Sequence, residues 1–102
     1  MGTNKRYADA IDARMDQRAI EAIVRDRSPS NLKSVELELE RYALTIPPHP
    51  VPVRAWVRYG DVPLRVEAEA WRWTDRVVAI VWKVPGGAEH RAWVWASAVE
   101  RI

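Results

Sequence analysis

Residues 64–73 read Leu64-Arg-Val-Glu-Ala-Glu-Ala-Trp-Arg-Trp73, in which aliphatic and charged side chains alternate along most of the run. Successive side chains of a strand point to opposite faces of a sheet, so a period of two predicts a half-buried β-strand. Similar runs rich in Val, Trp, Ile and Ala lie on either side, separated by turn residues. The predicted strands are 53–59, 64–73, 77–84, 90–96 and 99–102, with turns at 60–61, 74–76 and 85–87. Together they predict a five-stranded antiparallel meander.

The chain before these strands has a helical composition. Tyr7 to Asp26 contains no Gly or Pro, and its Ala, Arg, Glu and Ile residues favour one long helix with apolar side chains on two sides. Ser28-Pro29 fits the N-cap and first position of a second helix, in which Leu32, Val35, Leu39 and Tyr42 keep helical spacing. A strand is the rival interpretation of this second segment, because residues 35–40 alternate strictly between apolar residues and Glu.

Four prolines separate the two halves of the chain, in the stretch Ile46-Pro-Pro-His-Pro-Val-Pro52. Proline fixes φ and biases the residue before it away from helix, so the stretch should be extended. We therefore expect an α+β protein with a helical N-terminal segment (1–45), a proline-rich linker (46–52) and a β domain (53–102). The three parts are expected to form one compact domain.

The composition disfavours several classes of function. The 102 residues include no Cys, which excludes disulfides, thiolate metal sites and cysteine nucleophiles. The 16 basic residues face 14 acidic ones, so no strong field for nucleic acid is expected. The polar start lacks the apolar core of a secretory signal, and no apolar run approaches the ~20 residues of a membrane span, so we expect a cytoplasmic protein without membrane contact.

No catalytic, metal or cofactor motif stands out. His49 and His90 lie about forty residues apart without an obvious carboxylate partner, and surface or turn positions explain them best. Glu67 and Glu69 share one face of a strand but lack the opposing carboxylate of a hydrolytic pair. We therefore expect a protein that is not an enzyme and carries no cofactor.

The C-terminal half resembles an SH3-like or Tudor-like barrel. The resemblance rests on the strand spacing and on the ending Arg91-Ala-Trp-Val-Trp-Ala-Ser-Ala-Val-Glu-Arg-Ile102, an aromatic strand, a small-residue turn that in such barrels often forms a 3₁₀ turn, and a short closing strand. It implies an N-terminal helical segment packed on a five-stranded SH3-like antiparallel barrel. The whole chain also resembles short uncharacterised proteins of high-GC actinobacteria and their phages or mobile elements, in keeping with its Arg-rich and Ala-rich composition. The fold hosts unrelated activities, so the resemblance implies no reaction.

Six tryptophans and no phenylalanine are the most unusual feature of the sequence. If the Val and Ala residues of the strands fill the barrel, five of the tryptophans share the opposite face with charged residues. A β-bulge near Glu69 or Val78 would reverse this phase. The candidate partner-binding residues are Trp56, Trp71, Trp73, Trp93, Trp95, Arg54, Arg58 and Arg91.

Three interpretations of this aromatic face remain open. The N-terminal helices could cover it, a protein partner or a second copy could bind it, or it could be a ligand groove. Such a groove would be an aromatic cage for a cation or a stacking platform for single-stranded bases. We expect a non-enzymatic protein-interaction or assembly module, of phage or mobile-element origin, that can form oligomers. The alternative is weak single-stranded nucleic-acid binding through the same tryptophans and Arg54, Arg58, Arg65 and Arg91.

Overall fold

A computed structural model describes the backbone of residues 17–102 and the side chains of residues 18–102. The elements are α1 (Gln17–Asp26), α2 (Ser34–Leu37), β1 (Val51–Tyr59), β2 (Val62–Trp73), β3 (Val77–Lys83), β4 (Glu89–Trp95), a 3₁₀ turn (Ala96–Ala98) and β5 (Val99–Arg101). The strands form one antiparallel sheet in the order β4-β3-β2-β1-β5. All five predicted strands are confirmed, each to within two residues. No helix in the described part of the chain is long and apolar enough to cross a membrane.

The core lies on the sheet face that carries the Val and Ala side chains. Val53, Ala55 and Val57 of β1 are buried there, and the register places Ala68, Val66 and Leu64 of β2 opposite them. Ile80 and Trp82 continue the same cluster on β3, and Ala92 continues it on β4. This confirms that the aliphatic residues of the alternating strands face inward.

Helix α1 packs on this core face. Its Ile20, Ile23 and Val24 have i, i+3 and i+4 spacing, and all three pack against the core cluster. Just after the helix, the Arg27 guanidinium donates to the Tyr59 carbonyl oxygen at 3.4 Å, next to the β1–β2 turn. The helix was predicted to begin at Tyr7, and that part of the prediction lies outside the described residues.

The predicted second helix over 32–43 is wrong in length, and the rival strand over 35–40 is not formed either. A single helical turn, α2, begins at Ser34 rather than after Ser28-Pro29, and Glu38 ends it in the left-handed conformation with φ 48°. The chain must then become extended, because Thr45 and Trp73 exchange backbone hydrogen bonds of 2.7 and 3.0 Å. The longer helix does not form, because the chain instead pairs Thr45 with Trp73 and buries Leu37.

A β-bulge in β2 changes the direction of the last tryptophan of that strand. The register with β3 shifts between Ala70 and Arg72, which leaves Trp71 without a partner opposite it. Beyond the bulge Trp73 pairs with Val78 and packs against the core cluster. The expectation that Trp73 faces outward is therefore corrected, because one extra residue reverses the alternation.

Residues 30–32 connect β1 to the edge strand β4. The Ser30 amide donates to the Arg58 carbonyl of β1 at 2.7 Å, and the Leu32 amide donates to the Trp93 carbonyl of β4 at 3.1 Å. Within residues 17–102 no strand pairing joins β4 to β5, so the sheet is open in its hydrogen bonding. The sheet nevertheless curls enough for one short segment to touch both β1 and β4.

Candidate binding groove

The curl of the sheet forms a groove of about 440 Å³ beside residues 30–32, which we call the seam groove. Its volume falls within the range of roughly 300–1,000 Å³ that is common for ligand-binding clefts. Among the described residues that line it, Arg58 carries the only formal charge. The lining residues are Ser30, Asn31, Leu32, Trp56, Val57, Arg58, Pro63, Trp93, Val94, Trp95 and Ala98.

Three of the predicted tryptophans, one from β1 and two from β4, line this groove. Trp56 is 43% exposed and Trp95 is 38% exposed, whereas Trp93 is half-buried. Trp93 and Trp95 lie opposite Ala79 and Val77 of β3, both of which are buried although they lie outside the core cluster. The rings of Trp93 and Trp95 are therefore supported on one side by β3. Trp56 and Trp95 also keep about two-fifths of their surfaces exposed.

The walls of the groove are held by backbone contacts that the sequence did not indicate. Asn31 accepts a hydrogen bond from the Trp93 amide through its side-chain oxygen, next to the Leu32–Trp93 bond. These contacts satisfy polar groups on the free edge of β4, which would otherwise be open to pairing with another strand. A short Asn-Leu pair in irregular chain gives no periodic signal, so sequence reasoning missed it.

Arginine side chains lie against the exposed tryptophan rings. The guanidinium of Arg65 lies 5.8 Å from the centre of the Trp56 ring, and that of Arg76 lies 5.9 Å from the centre of the Trp95 ring. Arg76 also lies 5.4 Å from the Tyr42 ring and donates to the Tyr42 hydroxyl at 3.1 Å. At these distances each ring interacts with a cation of its own chain.

A smaller pocket of about 320 Å³ adjoins the seam groove on the other side of Trp56. It contains Arg54, Arg65 and Glu100, and the Arg65 to Glu100 contact is 2.7 Å. Arg54 lies 3.7 Å from Glu67 and 4.0 Å from Glu100. The 2.7 Å contact is the shortest of the three and is a charge-assisted hydrogen bond, between an Arg65 side chain that is 12% exposed and a Glu100 side chain that is 52% exposed.

The remaining candidate residues are not brought to the groove. At the bulge, Trp71 is half-buried, with the Arg72 guanidinium 4.0 Å and that of Arg91 5.7 Å from its ring centre. Arg91 also pairs with Glu89 at 3.7 Å. Trp73 lies on the core face with Arg101 5.8 Å from its ring. The predicted set thus divides into Trp56, Trp93, Trp95 and Arg58 at the groove, Arg54 beside it, and three residues elsewhere.

A buried polar network supports the core below β4. The Trp82 indole N–H donates to the Tyr59 hydroxyl at 3.1 Å, and that oxygen lies 2.7 Å from His90 Nδ1. The hydroxyl oxygen has two lone pairs and one proton, so it accepts from Trp82 and can either donate to His90 Nδ1 or accept from it, according to the imidazole tautomer. Burial raises the pKa of Tyr59, and the hydrogen bond from Trp82 lowers it by less. The prediction of His90 as a surface or turn residue is therefore wrong, since it is half-buried in β4; His49 is exposed.

The chain matches no protein-family model, no curated protein and no solved structure. Across residues 18–102, no group of three His, Asp or Glu side chains is arranged to hold a metal ion.

Proposed function

We propose that this protein is a non-enzymatic interaction or assembly module that binds a protein segment in the seam groove. The supporting observation is that Trp56, Trp93 and Trp95 converge from β1 and β4 on one groove, with about two-fifths of Trp56 and of Trp95 exposed. Tryptophan and arginine are the residues most enriched among those that dominate binding energy at protein interfaces. An apolar side chain placed between these rings would bury surface on several sides.

The charges around the groove favour an apolar or acidic segment over a cation. Arg65 and Arg76 already lie against the exposed rings, so a cationic ligand would have to displace them from the ring faces. The same arrangement gives less support to nucleic acid, because Arg54 and Arg65 are paired with Glu100. Phosphate binding needs cations that are not already neutralised by carboxylates.

The fold family belongs to the same proposal. Pairing of β5 with β1 and the 3₁₀ turn at Ala96–Ala98 both support an SH3-like barrel. In such a barrel, residues 30–32 bridge β1 and β4, which no strand pairing joins. A cytoplasmic location and an origin in an actinobacterial, phage or mobile-element genome are further parts of the proposal, supported by composition alone.

The test is selection of binding peptides from a random displayed library, followed by measurement of their dissociation constants. We expect Trp56→Ala and Trp95→Ala each to weaken binding by about tenfold or more, the effect of removing an anchor worth more than ~1.4 kcal/mol. Ile102→Ala is the matched control, because Ile102 is a 66% exposed apolar residue that does not line the groove. It should change binding less than twofold.

Two outcomes would overturn the proposal. One is a set of selected peptides whose affinities respond to Ile102→Ala as much as to the tryptophan substitutions. The other is binding of a single-stranded oligonucleotide that depends on Trp56 and Arg58 and falls steeply with salt, while no peptide is selected. That second result would assign the face to nucleic acid.

A further inference from the structure

A second surface of this chain complements the seam groove, and it lies on the arm formed by residues 33–42. Val35 is 79% exposed and Leu39 is 43% exposed, while Leu37 between them is buried. Glu36 and Glu40 are exposed beside these apolar residues. The arm therefore displays two apolar side chains among carboxylates, which is the chemistry that the groove favours.

The arm is held in one conformation by its own hydrogen bonds. The Lys33 amide donates to the Glu36 carboxylate at 2.9 Å, and the amides of Arg41 and Tyr42 both donate to the Glu38 carbonyl, at 2.9 and 3.2 Å. A segment that is ordered before it binds loses less conformational entropy on association. Val35 and Leu39 are thus presented by a preformed turn.

The charges of the two surfaces are opposite. The arm carries three glutamates against Lys33 and Arg41, and Arg41 pairs with Glu38 at 3.3 Å, so the carboxylates offered to a partner are those of Glu36 and Glu40. The seam groove carries Arg58, which has no acidic partner within residues 18–102. Arg76 adds a further cation beside Trp95. Such complementarity favours and orients encounter between the two surfaces.

Both ends of the arm adjoin the groove of the same molecule. Leu32 lines the groove immediately before the arm begins, and Tyr42 at the other end is joined through Arg76 to Trp95. Two copies related by a twofold axis can therefore each place an arm on the groove of the other. Reciprocal contacts of this kind close on themselves and stop at a dimer.

We propose that the occupant of the seam groove is the arm of a second copy, with Val35 and Leu39 against Trp56 and Trp95 of the partner copy. This inference rests on the proposed function, because it uses the same groove. It adds that the partner is a second copy of this chain and that the complex is a dimer. The carboxylates of one arm lie near Arg58 and Arg76 of the other copy, so association weakens as salt rises.

The experiment measures the molar mass of the full chain by sedimentation equilibrium over a range of concentrations. The mass should rise toward twice the 11.7 kDa of one chain. Val35→Asp on the arm and Trp56→Ala in the groove should each raise the dissociation constant at least about tenfold. Ile102→Asp, an equally polar change at an exposed site outside both surfaces, should leave the mass unchanged.

A mixture of the two variants gives the sharper result. The Val35→Asp chain keeps an intact groove and the Trp56→Ala chain keeps an intact arm, so the mixture should dimerise more tightly than either variant alone. Circular dichroism checks that each is folded, and Leu39→Asp with Trp95→Ala replaces the pair if one is not. A monomer at all concentrations, or a dimer insensitive to both substitutions, overturns the inference. If the monomer still binds selected peptides through Trp56, the proposed function stands without self-association. If the chain neither dimerises nor binds peptides, the proposed function and this inference both fail.

Discussion

Replacing Tyr59 by Phe removes one oxygen from the largest fully buried side chain of the core, which tests the polar network most simply. The hydroxyl accepts from Trp82 and contacts His90 at 2.7 Å. Its loss leaves the buried Trp82 N–H without a partner, whereas half-buried His90 can turn to water. A buried donor left unpaired costs about 1–3 kcal/mol, so we expect the free energy of unfolding to fall by about 2 kcal/mol. That is a large share of the ~5–15 kcal/mol that stabilises an ordinary domain.

The assay is urea unfolding followed by tryptophan fluorescence at neutral pH. With an m-value of about 1–3 kcal/mol per molar urea, the midpoint should fall by roughly 1 M while m stays the same. Tyr42→Phe is the matched control, because it removes a hydroxyl whose partner, Arg76, is exposed and can bond to water. It should cost less than about 0.5 kcal/mol. Equal losses in the two variants would refute the assignment of a stabilising network to Tyr59.

Three further predictions follow from the same contacts. The pKa of Tyr59 is raised in the folded state, so the folded chain holds the phenol proton more tightly than the unfolded chain does. The free energy of unfolding should therefore fall as pH rises above the ordinary tyrosine pKa near 10. Urea midpoints measured at pH 8–11 report this dependence, which should weaken in Tyr59→Phe. Gly60→Ala should cost about 1–2 kcal/mol in thermal unfolding, because φ is +64° and the new Cβ would lie 3.3 Å from the Arg27 guanidinium. Asn31→Ala should speed hydrogen exchange at the Trp93 amide, with little change at amides in the middle of β2.

The strands could be predicted because each depends on local chemistry. Alternation of Val or Ala with charged residues sets the buried face, and turn residues such as Gly60 fix where each strand ends. Gly60, for example, adopts a positive φ that other residues rarely take. The short 3₁₀ turn before β5 fits the small residues of Ala96–Ala98 in the same way.

The bulge in β2, the polar network of Tyr59 and the seam groove depend on contacts between residues far apart in the chain. The bulge at Trp71 could be raised only as an alternative, because the phase that buries Ala70 would also place Arg72 on the core face, but the alternation does not say where an extra residue is inserted. Likewise, nothing local indicates that Ser30 bonds to Arg58 or that Tyr59 meets His90. Four of the eight candidate residues reached the groove because strand phase correctly placed Trp56, Trp93 and Trp95 on one face, with Arg58 beside them.

The most direct test of the seam groove is a ¹⁵N–¹H correlation spectrum of the folded chain, because each of the six tryptophans gives one indole N–H signal. The spectrum is followed as a selected peptide is added. We expect the signals of Trp56, Trp93 and Trp95 to shift together, while that of Trp82, buried in the core, stays in place. Shifts confined to Trp71 and Trp73, with the three groove signals unmoved, would contradict it.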